Sequence, residues 1–381
     1  MTVMKKSGAV LLAAAIGTML TFSSCSAPEE KANHGEMRGL TAKELIAEMK
    51  TGWNLGNSLD SIGKDETAWG NPVTTKEMID AVSAQGFDIL RIPVTWGQHM
   101  GKAPDYEIEP EFIDRVQEVV DYGIENGIYV IIDTHHEPDS WLVPKPESME
   151  KVEPQFTALW KQVAERFADY GDHLVFEGIN EVRTKGSPNE WNGGTAEERE
   201  CVNKLNKIFV DTVRKTGGNN EKRLLLIATY AHCITDSGFD GFVAKYDDYT
   251  GVALHAYTPY SFTYHSGENY ETFKWDGREK SSIESVFGLI DKYVISKGIP
   301  VMITEYGAVR KQLEDNTYNT DEVIKWIGDY LGEAKKYGIP CVWWDNNYYN
   351  SGNELFGIFD RSKCEWYCKE IADAIVKMYS A

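Results

Sequence analysis

The sequence has 381 residues, of which 42% are hydrophobic, and its 39 basic and 59 acidic side chains give a net charge of −20. Such an acidic surface repels phosphate backbones and anionic headgroups, which argues against nucleic acid and acidic polysaccharides as partners and fits a neutral ligand. Nothing in the composition is collagen-like, low-complexity or coiled-coil, and the length suits one large domain with insertions.

The N-terminus has the pattern of an export signal. Lys5 and Lys6 precede an apolar stretch, residues 8–22, that is too short to span a membrane comfortably. Small residues then precede Cys25, as in bacterial lipoproteins whose cysteine becomes the lipidated first residue. Ordinary signal cleavage nearby is the alternative, so the sequence predicts an outer-membrane or cell-surface lipoprotein, or otherwise a secreted protein.

These features predict three segments. Residues 1–24 are expected to be a signal peptide, residues 25–39 a polar tether, and residues 40–381 a single folded domain.

From residue 51 onward, short apolar runs alternate with amphipathic stretches. The runs are dense in Val, Ile and Leu with little alternation, which is typical of parallel strands that are buried on both faces. The eight predicted strands are 53–57, 87–94, 128–135, 174–181, 224–230, 252–257, 300–307 and 340–345.

Helical patterns separate these strands, and most of them stop at a glycine suited to a left-handed cap. The predicted helices are 75–85, 111–126, 155–170, 196–216, a short one near 239–246, 282–297, 321–337 and 365–378. Strands alternating with helices predict a closed (β/α)8 TIM barrel, with an open doubly wound sheet as the alternative. No Gly-rich phosphate loop follows the first strand, which disfavours a dinucleotide-binding version of the open sheet.

Polar side chains end several of the apolar strands. Such residues cost desolvation energy and commonly carry function, and in a barrel the carboxyl ends of all strands meet at one mouth. The candidates are Asn57, Arg91, His135, His136, Asn180, Glu181, His255, Tyr257, Glu305 and Trp344. The fifth strand offers only Tyr230 and His232.

Two carboxylates stand out among these candidates. Glu181 ends the fourth strand and Glu305 ends the seventh, so we expect them to face each other across the mouth. Cleavage of a glycosidic bond needs one carboxyl group that is protonated and one that is ionised. Their separation, about 5–5.5 Å for retention and about 6.5–9.5 Å for inversion, is not fixed by the sequence.

The remaining candidates supply what such a pair needs. We expect Arg91 to keep Glu305 ionised by its charge, and Tyr257 to donate its hydroxyl to Glu305. Asn180 is placed to bind the 2-hydroxyl of the sugar, and Trp344 to form a floor on which the cleaved sugar stacks.

Two other classes of function remain open. One is a metal-dependent hydrolase that uses Asp133, His135 and His136, although no further ligands at zinc spacing follow, and neither a metal nor a cofactor is predicted. The other is a non-catalytic, glycan-binding surface lipoprotein on a degenerate barrel, against which the intact pair of glutamates argues.

Eight short stretches carry a resemblance to a known family. They are GWNLGNSLD (52–60), ETAWGNP (66–72), RIPVTW (91–96), DTHHEPDSW (133–141), FEGINE (176–181), HAY (255–257), TEYG (304–307) and VWWDN (342–346). Over residues 40–380 the sequence resembles glycoside hydrolase family 5, the cellulase family. The first two stretches together resemble subfamily 4, which contains endo-β-1,4-glucanases and xyloglucanases.

The resemblance implies a retaining, endo-acting enzyme on β-1,4-glucosidic linkages of plant cell-wall glucans, with endo-xylanase or mannanase activity as alternatives. It implies that Glu181 is the general acid/base and Glu305 the nucleophile, and that no cofactor or metal takes part. The supporting active-site residues that it implies are Arg91, His135, His136, Asn180, His255, Tyr257 and Trp344. The subsite residues that it implies are Asn57, Trp69, Trp96 and Trp141.

Overall fold

The computed structural model describes residues 1–2, 34–264, 272–352 and 354–380. The chain forms two compact units, Met1–Asn33 and His34–Ala381, and the second unit contains the fold. Cys25 and almost all of the predicted signal peptide lie outside the described residues. Within the described ranges, no helix has the length and apolar character needed to cross a membrane.

Eight parallel strands close into a barrel in chain order, with β8 paired to β1. The strands are β1 (Thr51–Asn54), β2 (Ile89–Ile92), β3 (Tyr129–Ile132), β4 (Leu174–Glu177), β5 (Leu225–Ala228), β6 (Thr250–His255), β7 (Val301–Tyr306) and β8 (Cys341–Trp343). Every residue of these strands is buried, as the unbroken apolar runs predict. The predicted (β/α)8 barrel is confirmed, and the open doubly wound sheet is wrong.

Helices surround the barrel. They are α1 (Ala42–Glu48), α2 (Lys76–Gln85), α3 (Pro110–Glu125), α4 (Met149–Arg166), α5 (Ala196–Lys215), α6 (Asp236–Phe239), α7 (Tyr260–Thr263), α8 (Lys280–Tyr293), α9 (Thr320–Lys336) and α10 (Lys369–Lys377). Glycines follow several of these helices in the left-handed conformation, including Gly86 at a φ of 108° and Gly338 at a φ of 67°. These C-terminal glycines in the sequence therefore predict the ends of these helices to within a residue or two.

The helix boundaries differ from the prediction in several places, and α4 and α8 both end about one turn early, at Arg166 and Tyr293. Helix α4 begins at Met149, six residues before the predicted start, and contains Pro154. The helix after β5 is a single turn that ends at Phe239, where the prediction began it. The first residues of the predicted last helix instead form a short strand, Glu365–Trp366, that pairs with Phe359–Asp360.

The lower end of the barrel is closed by an apolar plug. Inward side chains of the strands, among them Ile131, Val175 and Met302, form one buried cluster with Leu45 and Ile46 of α1. A capping box starts α1, because Thr41 and Glu44 satisfy each other's backbone N–H groups. This end of the barrel is therefore a packed core.

Part of the predicted tether packs on the barrel. The backbone carbonyls of His34 and Glu36 accept hydrogen bonds from Gly171 and Asp172. Arg38 donates from Nε to Asp172, at 2.7 Å. Residues 34–39 therefore belong to the folded unit, which corrects the predicted boundary at residue 40.

Candidate active site

The strands carry polar side chains into the upper part of the barrel. Side chains alternate between the two faces of a strand, so the residue two positions after an inward apolar residue also points inward. By this rule Arg91 follows Ile89, Asp133 follows Ile131 and Glu177 follows Val175. Together with Asn54 on β1, these side chains form a buried polar layer directly above the apolar plug.

Arg91 lies at the centre of this layer and is fully buried. It pairs with Glu177 through two hydrogen bonds of 2.8 and 3.1 Å, with Asp133 at 2.7 Å and with Glu305 at 2.7 Å. It also donates to the side-chain oxygen of Asn180 at 2.9 Å. Although burial opposes the charge, these carboxylates raise the pKa of Arg91 well above its ordinary value. Three acidic groups thus share one fixed positive charge.

Glu181 and Glu305 face each other as predicted. Each offers a carboxylate oxygen to a group that also includes a nitrogen of His255, and these atoms lie within 4.8 Å of one another. Arg91 and Tyr257 both donate to Glu305, Tyr257 at 3.0 Å. This distance between carboxylate oxygens is closer to the separation of about 5–5.5 Å in retaining glycosidases than to the separation of about 6.5–9.5 Å in inverting ones.

The surroundings of Glu305 act on its pKa in both directions. Burial raises the pKa of Glu305 to about 8, which Arg91 opposes and the charge of Glu181 reinforces. The hydrogen bonds from Arg91 and Tyr257 stabilise the ionised form of Glu305.

Neutral histidines surround the carboxylates. Nδ1 of His255 lies 2.9 Å from Glu181 and 3.5 Å from Glu305, while Nδ1 of His135 lies 2.7 Å from Asp133. Burial is the main reason that the pKa of each of these histidines is well below its ordinary value. Both rings therefore act as hydrogen-bonding groups that add no positive charge at neutral pH.

The glutamates lie in an open cleft of about 900 Å³. Of the predicted residues, His135, His136, Asn180, Glu181, His255, Tyr257, Glu305 and Trp344 line it. Trp344 lies parallel to His135, with ring centroids 5.7 Å apart. A side chain at Gly56 would collide with the Trp344 indole, so this glycine lets the ring lie where it does.

The predicted subsite residues differ in where they lie relative to the cleft. Trp69 lies beside the cleft-lining His136, with ring centroids 5.2 Å apart. Asn57 has a left-handed backbone at a φ of 60°, and its N–H donates to Asp60. Trp141 is half-buried and donates to Glu137 at 2.7 Å. These three residues are outside the described lining of the cleft.

The prediction that Trp96 is a subsite residue is wrong. Its side chain has no exposed surface, and its indole N–H donates to the backbone carbonyl of Asp133 at 2.8 Å. Trp96 also packs edge-on against Phe112 in the outer core. A tryptophan directly after a site-bearing strand can serve either purpose, and the sequence pattern does not separate the two.

Several residues of the site were missed or underrated. Glu177 is not among the predicted residues because it lies before the end of the predicted fourth strand, although its inward position two residues after Val175 marks it. Arg183 and Trp191 line the cleft, and the guanidinium lies 4.4 Å above the indole ring. Nothing in the sequence marks Trp191, which lies in the loop after β4.

Three groups of described side chains have ligand atoms close enough to hold a metal ion. They are Asp60 with His135 and His136, Glu177 with His232 and His255, and Glu181 with His255 and Glu305. In each group a histidine nitrogen already pairs with a carboxylate. Asp133, which the metal hypothesis needed, instead pairs with Arg91 and His135.

Known proteins are similar to this chain in sequence. The family model for cellulase, glycosyl hydrolase family 5, matches residues 51–350. Endoglucanase A of Ruminococcus albus is 55% identical over 351 residues, which cover 91% of this chain and 95% of that protein. Endoglucanase A of Clostridium longisporum is 39% identical, with coverage of 95% of this chain and 71% of that protein.

Solved structures of endoglucanases are similar to this chain in fold and in sequence. A xyloglucan-specific endo-β-1,4-glucanase from a metagenomic library, in complex with cellotriose, has a TM-score of 0.84 and 44% identity, covering 88% of this chain and 98% of its own. A GH5-4 broad-specificity endoglucanase from Ruminococcus champanellensis with bound cellotriose has a TM-score of 0.84 and 40% identity, covering 90% and 100%. The chain therefore belongs to the cellulase family, glycosyl hydrolase family 5.

Proposed function

We propose that the protein is an endo-acting, retaining β-1,4-glucanase that cleaves with Glu181 and Glu305. The observation that carries this proposal is the pair of carboxylates within 4.8 Å, of which Glu305 alone receives hydrogen bonds from Arg91 and Tyr257. Glu305 is thereby stabilised in the charged form that a nucleophile needs, which leaves Glu181 to act as the acid, and the reaction needs this asymmetry.

The mechanism has two displacements. In the first, an oxygen of Glu305 bonds to the anomeric carbon while the bond to the leaving oxygen breaks and Glu181 transfers its proton to that oxygen. In the second, water attacks the anomeric carbon, Glu181 accepts a proton of that water, and the bond to Glu305 breaks. Both carboxyl groups end in their starting states.

The surroundings suit an uncharged polysaccharide. Asn180 is oriented by its hydrogen bond to Arg91, so its amide nitrogen is the atom available to a sugar hydroxyl. Trp344 forms one wall, and the half-exposed rings of Trp191 and Tyr260 line the cleft elsewhere. Flat aromatic faces suit the C–H faces of glucose rings. Relatives that act on glucan and xyloglucan support a β-1,4-glucan backbone as the substrate.

Trapping with azide tests the two roles separately. With an activated aryl β-cellobioside, azide enters from opposite faces in the two variants, because each substitution vacates a different face of the sugar. We expect Glu305→Ala to lose on the order of 10⁴-fold or more in kcat/KM on soluble glucan and to give the α-glycosyl azide. Glu181→Ala should give the β-glycosyl azide.

Proton NMR of the first product of the unmodified enzyme completes this test. We expect the β-anomer, and a first-formed α-anomer would remove the nucleophile role from Glu305. The variant Glu111→Ala, at an exposed position on α3, serves as the control and should keep full activity. A panel of carboxymethylcellulose, mixed-linkage glucan, xyloglucan, xylan and mannan then ranks the substrates and tests the xylanase and mannanase alternatives.

We also propose that the protein is exported and lipidated at Cys25. The support is the sequence alone: Lys5 and Lys6, the apolar stretch at 8–22, and the small residues before the cysteine. Mass spectrometry of the mature N-terminus after expression in a diderm bacterium tests this. A lipid mass that disappears in Cys25→Ala supports anchoring, and an unmodified N-terminus at another residue contradicts it.

A further inference from the structure

Glu181 has a backbone conformation that side-chain-bearing residues avoid. Its φ is 45°, and Ala231 and His232 in the loop after β5 have φ values of 52° and 53°. Such a conformation is strained for a residue that carries a side chain, so the surroundings must enforce it. The strain falls on the residue to which we assign the acid/base role.

Side chains hold both polar backbone groups of Glu181. Its N–H donates to Nδ1 of His232 at 3.0 Å, and its carbonyl accepts from Arg183 at 2.9 Å. Because Nδ1 of His232 accepts, the proton of that ring is on Nε2. Nε2 lies 3.1 Å from Oε1 of Glu177, so the carboxylate of Glu177 fixes the tautomer that can hold Glu181.

Glu177 is suited to this task because it stays ionised. Burial alone would raise its pKa, but the charge of Arg91 and the hydrogen bond from His232 bring the pKa well below its usual range. Thr304 also donates to it, at 3.2 Å. Neither Glu177 nor His232 has any exposed surface, so neither can touch the substrate.

His232 also supports the carboxylate end of Glu181. Its ring packs on His255 with centroids 4.1 Å apart, and His255 lies 2.9 Å from the Glu181 carboxylate. The imidazole of His232 therefore fixes the backbone of Glu181 directly and the side chain of Glu181 through one intermediate ring.

We infer that Glu177 and His232 are positioning residues that hold Glu181 where it can protonate the leaving oxygen. This inference rests on the proposed acid/base role of Glu181. It predicts that loss of His232 impairs the step that needs a proton and spares the step that does not. A residue that served only stability would affect both steps alike.

Two substitutions in the full chain separate the contacts of His232. His232→Gln keeps a donor near Glu177 but offers no acceptor to the N–H of Glu181, whereas His232→Asn places a carbonyl oxygen where Nδ1 lies. Each variant is assayed on cellotetraose, whose leaving group needs a proton, and on 2,4-dinitrophenyl β-cellobioside, whose leaving group does not. We expect His232→Gln to lower kcat/KM about 10²-fold on cellotetraose and less than about threefold on the aryl glycoside.

His232→Asn should recover about tenfold of the cellotetraose activity that His232→Gln loses, because an acceptor for Glu181 is restored. The control is His173→Gln, just before β4 at the opposite end of the barrel, which should change neither activity. Partial unfolding lowers both activities by the same factor, so the ratio of the two substrates stays informative even for a destabilised variant.

The outcomes separate this inference from the proposed function. If the unmodified enzyme releases no sugar from β-1,4-glucan, the proposed function fails. If that enzyme is active but His232→Gln retains its cellotetraose activity, or loses both activities equally, the inference is overturned and the proposed function stands.

Discussion

The lower and upper halves of the barrel interior use the same strands for opposite purposes. On β3, Ile131 packs into the apolar plug, and Asp133, directly after the strand, pairs with Arg91. On β4, Val175 and Glu177 divide in the same way. The lower layer gains stability from apolar burial, while the upper layer holds buried charges that need one another to be tolerated. Substitutions in the two layers should therefore have different effects on stability and on activity.

The largest expected effect on stability comes from Arg91→Met. Removing the guanidinium leaves Asp133, Glu177 and Glu305 buried without a cation, which we expect to cost about 3–5 kcal/mol in the free energy of unfolding. Burial already raises the pKa of Asp133 to about 7 and that of Glu305 to about 8, and the loss of Arg91 would raise both further and remove the main influence that lowers the pKa of Glu177. Stability should thus fall as pH rises, so urea unfolding should show a larger loss at pH 8 than at pH 5.

Equal losses of stability at pH 5 and pH 8 would mean that the polar layer tolerates the missing charge by other means. Arg115→Met is a matched control, because that arginine also pairs with carboxylates but is partly exposed. It should cost less, with little pH dependence.

Ile131→Ala tests the lower layer. The side chain is fully buried in the plug, so its truncation should cost about 2–5 kcal/mol in the free energy of unfolding. We expect kcat/KM on soluble glucan to stay within about twofold of the unmodified value below the unfolding transition. A selective loss of activity in the folded variant would show that the two layers are coupled.

Tyr257→Phe tests the upper layer without removing a charge. The substitution deletes one hydrogen bond to ionised Glu305, which should lower kcat/KM about 10- to 100-fold. Because that hydrogen bond lowers the pKa of Glu305, its loss should move the acidic limb of the pH–activity profile to higher pH. An unchanged profile would mean that the Tyr257 hydroxyl does not act on Glu305 during turnover.

The smallest effect is expected from Trp191→Ala at the cleft margin. Loss of the stacking surface should lower kcat/KM for long glucans by about tenfold and leave thermal stability nearly unchanged. Tyr367→Ala, an exposed aromatic outside the cleft lining, is the control and should have no effect on activity. Equal effects of the two substitutions would argue against a binding role for Trp191.

Local patterns in the sequence predicted the strands and the two glutamates. Unbroken apolar runs mark buried parallel strands, and a polar residue at the end of a run marks the mouth, which is why Glu181, Glu305 and Arg91 were found. Local patterns do not predict a role that depends on partners distant in the sequence. Trp96 faces the core because β3 offers a carbonyl to its indole, and Glu365 pairs with Asp360 in a strand.

His34 stacks on Tyr170 and hydrogen-bonds to Gly171, just before β4 begins, so the chain enters the fold on the side of the plug. The cleft that holds Glu181 and Glu305 lies at the other end of the barrel. The strands therefore separate the point where residue 34 enters the fold from the residues of the cleft.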